Sequence, residues 1–148
     1  MKISLKGRYA LASMILLAQN VQEGTPLTVS GISERLDFSK IYLEQVFALL
    51  RRNGLVISIK GAQGGYQLAR QASDISAADI LAATENSIFE AVEDTVPDAA
   101  PGIEQALEDM LWIPANKAFQ SVFERMPLSD MADEALRKSS ENSYVYCI

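Results

Sequence analysis

The chain has 148 residues, 49% of them apolar and 22% charged, with a net charge of −6. That is enough apolar material for one ordinary core, which excludes a wholly disordered chain. With no histidine and a single cysteine, Cys147, the chain can form no internal disulfide framework and lacks the ligands of the common four-ligand zinc sites.

A lone cysteine fits a reducing cytoplasm, and no apolar run approaches the ~18 residues that a membrane span needs. The net charge hides a split. Up to Arg70 there are nine Lys/Arg against four Asp/Glu, a net of +5; from Gln71 onward there are four against fifteen, a net of −11. The first part suits a polyanionic partner and the second does not.

The opening stretch, MKISLKGRYALASMILLAQN, is basic and then apolar. Ser13 interrupts the apolar run and no small-residue cleavage site follows before Gln19 and Asn20, so the stretch reads as a helix from Leu5 to Asn20 rather than a leader. Ser4 is its candidate cap. Thr28 to Leu36 is a short helix with Thr28 as cap. After a tight connection at Asp37-Phe38, Ser39 caps a second helix that ends near Asn53, before Gly54. Leu43, Val46, Phe47 and Leu50 fall at i, i+3, i+4 and i+7 and mark its buried face. Two helices joined by about three residues make a helix-turn-helix. Leu55–Lys60 and Tyr66–Arg70 then read as strands around the glycine-rich tip Gly61–Gly65, and a hairpin at that place is a wing.

Ser76 to Glu85 is a further helix, with Ser76 as cap and Asp79 three residues on. Residues 86–102 read as a long acidic loop. Ile103 to Met126 is a long helical pattern, kinked or broken by Pro114 and ended by Pro127. Ser129 to about Lys138 is a short last helix, followed by a loose tail. The expected fold is therefore mainly α with a small β-hairpin. A winged helix-turn-helix domain spans 1–85, a loop that could receive an effector spans 86–102, and a dimerisation helix, short helix and tail span 103–148.

Catalysis has little to stand on without histidine, a GxSxG elbow or a Walker motif. The tip Gly61–Gly65 lacks the GKS/GKT ending of a phosphate loop and leads into a strand. Nucleic-acid binding fares better. The face of the second helix opposite Leu43 and Leu50 carries Ile41, Gln45 and Arg52, with Ser39, Tyr42 and Glu44 toward its start. Glutamine can pair with adenine, glutamate can accept from cytosine, and an exposed isoleucine suits a thymine methyl. Lys40 and Arg51 flank this face within reach of phosphates. Lys60 stands at the edge of the wing, whose glycines, Gly64 among them, permit close approach to a minor groove. Lys6 and Arg8 sit in the first turn of a helix, where its dipole disfavours cations, a conflict that a bound anion would relieve. The rival reading is a winged-helix module that binds a protein partner and not DNA.

Leu107, Leu111, Phe119, Val122 and Phe123 crowd a helix that the small N-terminal domain cannot cover, which points to a homodimer. No metal site is expected, and no cofactor is needed for DNA binding. Cys147 is the one candidate for a redox role, as an intersubunit disulfide.

SLKGRYAL, ISERLDFSKIYLEQVFALLRRNGLV and KGAQGGYQL together resemble the Rrf-two family of bacterial transcriptional regulators, to which IscR, NsrR and CymR belong. The resemblance covers residues 1 to about 85 most closely. It implies a homodimeric winged-helix protein that contacts a roughly palindromic DNA operator through Ser39, Ile41, Tyr42, Glu44, Gln45 and Lys60. Repression is the expected action. Family members that sense through an iron–sulfur cluster carry three cysteines in the segment corresponding to about 88–106. This chain has none there, so cluster sensing is not carried over, and a small molecule or partner protein is the expected signal.

Overall fold

Four hydroxyl side chains start four helices where the sequence places them. In the computed structural model, which describes residues 1–146 and side chains through Ser143, Ser4 Oγ accepts the Gly7 N–H at 3.1 Å and opens α1, Leu5–Gln19. Thr28 Oγ1 accepts from Gly31 at 2.9 Å and opens α2, Val29–Leu36. Ser39 Oγ accepts from Tyr42 at 3.4 Å and opens α3, Lys40–Arg52. Ser76 Oγ accepts from Asp79 at 3.1 Å, and the Asp79 carboxylate accepts the Ser76 N–H at 2.9 Å, a reciprocal cap on α4, Ala77–Thr84. Each such cap satisfies an N–H that a helix start otherwise leaves bare, worth about 1 kcal/mol.

These helices meet in one core. Leu43, Val46, Phe47 and Leu50 of α3 are fully buried, as their spacing predicts, against Ala10, Met14 and Leu17 of α1, Ile32 of α2 and Ile80 of α4. Between α2 and α3 the turn is made by Asp37, at φ 55, whose Cβ makes that conformation costly. Phe38 follows it and stacks on Tyr9 of α1, with ring centroids 3.7 Å apart and planes within 4°. That stack fixes the helix-turn-helix onto α1.

The hairpin is shorter than the sequence predicts: β1 is Val56–Ile59 and β2 is Gly65–Leu68, antiparallel, with Val56 opposite Leu68 and Ile59 opposite Gly65. A third segment joins it. Leu27 bridges Tyr66 in both directions, at 3.0 Å and 2.7 Å, so the wing is stitched to the start of α2. Gly65 has to be glycine here, because at φ 146 a Cβ would lie 2.5 Å from the Leu27 carbonyl oxygen.

Beyond α4, residues 86–100 form the expected irregular stretch. The long helical pattern is then realised in three pieces: α5, Pro101–Leu107; a π-turn, Glu108–Trp112; and α6, Ile113–Glu124. Pro114 does not break the helix. A proline in an α-helix clashes with the carbonyl four residues back; here the preceding turn widens, with the Ile113 N–H reaching the Glu108 carbonyl. Glu104 anchors the loop to α5, its carboxylate accepting the N–H groups of Thr95 at 3.0 Å and Val96 at 2.5 Å.

The last helix corrects the expectation of a short segment and loose tail: α7 runs from Leu128 to Tyr146. No glycine or proline stops it. Arg137 pairs with Glu134 at 2.6 Å and with Glu141, one turn away on either side, and holds the Glu134 carboxyl below its ordinary pKa. The hydroxyls of Ser139 and Ser140 donate to carbonyls four residues back. The Arg137 ion pairs each add a few tenths of a kcal/mol to the helix. At its other end, Leu128 is wholly buried and its N–H donates to the Ile75 carbonyl at 2.7 Å, so α7 packs back along α1. Cys147 lies outside the described residues.

Candidate nucleic-acid interface

The outer face of α3 is set by what its inner face buries. With Leu43, Val46, Phe47 and Leu50 committed to the core, Lys40, Ile41, Glu44, Gln45 and Arg52 are turned to solvent. Ile41 is 73% exposed, and Gln45 stands one turn further on the same side. Ser39 is exposed too, although its hydroxyl is engaged as the helix cap. Tyr42 differs from its neighbours. It is half-buried, its ring edge-on to Tyr9 with centroids 5.5 Å apart, so its main contact is within the fold.

The wing brings a second surface. Lys60 is exposed immediately after β1, and Ala62 and Gln63 are exposed at the tip. Gly64 is half-buried and donates its N–H to the Gly61 carbonyl at 3.0 Å. A Cβ on Gly64 would run into the carbonyl oxygens of Ile59 and Gly61, so a tight turn demands glycine there whatever the tip touches. Gln63 is absent from the sequence-derived set. The glycines around it were its only signal, since a residue flanked by turn formers must point outward.

On α1, Arg8 is exposed and Lys6 half-buried. The anion that relieves their conflict with the helix dipole exists within the chain. Glu85 Oε1 accepts the Ser4 N–H at 2.8 Å at this helix end. The dipole argument for a bound phosphate at Lys6 and Arg8 therefore carries no weight by itself.

The residues expected in a dimer contact divide. Leu111 and Val122 are each 46% exposed, and Ile103, Met110, Ile113 and, just past the end of α6, Met126 are exposed as well, so α5, the π-turn and α6 carry much uncovered apolar surface. Leu107 is half-buried. Phe119 and Phe123 pack edge-on to each other at 4.8 Å, and Phe123 meets Phe89 of the loop at 6.2 Å, so both rings spend much of their surface inside the protomer. Among the described residues no helix is long and apolar enough to cross a membrane.

A family model described as Rrf2, iron-dependent transcriptional regulator, matches residues 3–134. The HTH-type transcriptional regulator IscR of Serratia proteamaculans (strain 568) is 34% identical over 133 residues, covering 90% of this chain and 80% of that protein. Among solved structures, CymR, the global cysteine regulator of B. subtilis, is 38% identical with a TM-score of 0.73, covering 90% of this chain and 98% of that one. IscR of T. potens is 36% identical with a TM-score of 0.70, covering 91% and 88%.

The family description implies iron, and the residues present do not fit an iron–sulfur cluster. Such clusters need soft thiolate ligands. The segment 86–106 contains no cysteine, and among the described residues no three histidines, cysteines or carboxylates converge as a metal site would require. One carboxylate of that region, Glu104, is spent on the backbone of its own loop. With a winged helix-turn-helix, an open α3 face and relatives that are regulators and not enzymes, the chain belongs to the Rrf2 family of DNA-binding transcriptional regulators.

Proposed function

We propose that the protein is a homodimeric repressor, acting in the cytoplasm on a roughly palindromic operator without an iron–sulfur cluster. The observation that carries this reading is the exposed face of α3. It presents Lys40, Ile41, Glu44, Gln45 and Arg52 to solvent, and the wing adds the exposed Lys60. The polar and apolar residues at the start of α3 read base edges, and the cations around them hold phosphates. Two copies joined along the apolar face of α5 and α6 present two such helices about a twofold axis, and the operator mirrors that symmetry. The acidic second half faces away from the duplex. An effector acts on the loop 86–102 and, through it, on the dimer helix.

The test is selection of duplexes from a random-sequence pool by the full-length protein, followed by binding of the selected duplex across a range of salt. The expected result is an enriched inverted repeat whose affinity falls steeply as salt rises. A folded protein that enriches no sequence would overturn the reading.

A further inference from the structure

A cleft of about 470 Å³ opens between the C-terminal end of α1, the single turn of 3-10 helix at Val21–Glu23 and strand β2. Its volume falls within the ~300–1,000 Å³ typical of small-ligand sites. Leu17, Leu68 and Ala72 supply apolar wall, the amides of Asn20 and Gln67 supply polar groups, and no carboxylate lines it. The one charged residue in the lining is Arg70.

Arg70 is held in place. Its Nε donates to the Asp74 carbonyl at 3.2 Å and its Nη2 to the Asp79 carboxylate at 3.3 Å. Among the described residues Nη1 has no partner. Asp79 is itself committed to the Ser76 N–H at the start of α4, where the helix end offsets its charge. A guanidinium fixed on one edge and open on another loses little freedom when it receives an anion. Asn20 is similarly fixed, its Nδ2 donating to the Thr25 carbonyl at 2.7 Å.

We propose that this cleft binds a small carboxylate with an apolar body. The carboxylate sits on the open edge of Arg70, and the body lies against Leu17, Leu68 and Ala72. The site lies apart from the α3 face and from the loop 86–102. Its consequence for regulation rests on the DNA-binding reading, but its occupancy does not. Strand β2 is the return arm of the hairpin that carries Lys60. A ligand bridging β2 and the end of α1 braces the wing at its base and changes the protein's affinity for its operator.

Phenylacetate and its neutral analogue phenylacetamide are suitable probes, titrated into the full-length protein while backbone amide resonances are followed. Phenylacetate is expected to shift Gln67, Leu68 and Ala72 with millimolar affinity, and phenylacetamide to bind roughly tenfold more weakly. R70Q should reduce phenylacetate to the level of the amide. Arg70 is 42% exposed, so this variant keeps the fold. A18F, which fills the cleft from α1, should abolish both responses. The site is overturned if those resonances do not move, if the two probes bind alike, or if R70Q changes nothing. Unchanged operator affinity at saturating phenylacetate would overturn the coupling to the wing. Failure to bind any operator without probe would count against the DNA-binding reading alone.

Discussion

Glu85 caps the first helix of the chain across 81 residues of sequence: its Oε1 accepts the Ser4 N–H at 2.8 Å and the Ser4 hydroxyl at 2.6 Å. That hydroxyl in turn accepts the Gly7 N–H. The carboxylate lies so near α1 that a Cβ on Gly7 would collide with it. Gly7→Ala therefore sets two effects against each other, a gain of about 1 kcal/mol in helix propensity and the displacement of the cap. In the intact protein the substitution should be neutral or destabilising. In an E85A background only the Ile3 side chain, 2.9 Å from the added Cβ, still has to give way, so the same substitution should be more favourable there than in the intact protein by about 0.5–1 kcal/mol. Urea midpoints of the four proteins of the cycle check this, and simple additivity would mean that the two residues do not interact.

Ile41 should read the methyl group of a thymine. Replacing thymine by uracil, position by position in a selected operator, removes only that methyl. One position in each half-site should weaken wild-type binding by about 1 kcal/mol or more, while I41A should be indifferent to the exchange there. Wild-type protein that tolerates uracil at every position would show that Ile41 reads no base.

Charged and amide side chains should separate cleanly. R8A and K60A should each lower affinity on all sequences and reduce the slope of log affinity against log salt by about one unit. Q45A should leave the slope alone and relax preference at one position of each half-site, costing about 1–3 kcal/mol on the best sequence. Selection and salt titration on the three variants distinguish these outcomes.

An aspartate at Leu111 or Val122, both exposed, should yield a folded monomer by light scattering with operator affinity strongly reduced, since each half-site then binds alone. A variant that remains dimeric would move the interface elsewhere.

Protein purified without oxygen should be colourless and should bind its operator as isolated. Absorption spectra with iron and sulfide assays decide the point; stoichiometric iron and sulfide would overturn the reading of the missing cysteines.

Most of the first 85 residues is legible in the sequence because local signals agree there. Hydroxyl caps stand before apolar stripes of helical period, and Gly54 takes φ 72 just past the end of α3. What stays hidden is long-range. Nothing local pairs Ser4 with Glu85 or attaches Leu27 to Tyr66. The length of α7 is missed because serines and charges in a row look like a tail until Arg137 is seen between its two glutamates. Tyr42 looks like a base contact by its position on the helix, but Tyr9, distant in sequence, holds its ring. Arg70 reads as the end of a strand, and only the fold shows that Asp74 and Asp79 fix it at the mouth of a cleft.

The π-turn before Pro114 holds one more residue than an α-helix would need to cover the same height. Removing a residue from α6 would swing everything after it by about 100° and so change where Val122 stands relative to Ile103. Removing one from Glu108–Trp112 instead converts the wide turn to an ordinary one and leaves the flanking faces aligned. Paired with Pro114→Ala, which takes away the ring that the wide turn accommodates, such a deletion is the length change this helix absorbs best. The turn is thus a place where insertion and deletion can enter the lineage of the protein without rewriting the surface on either side.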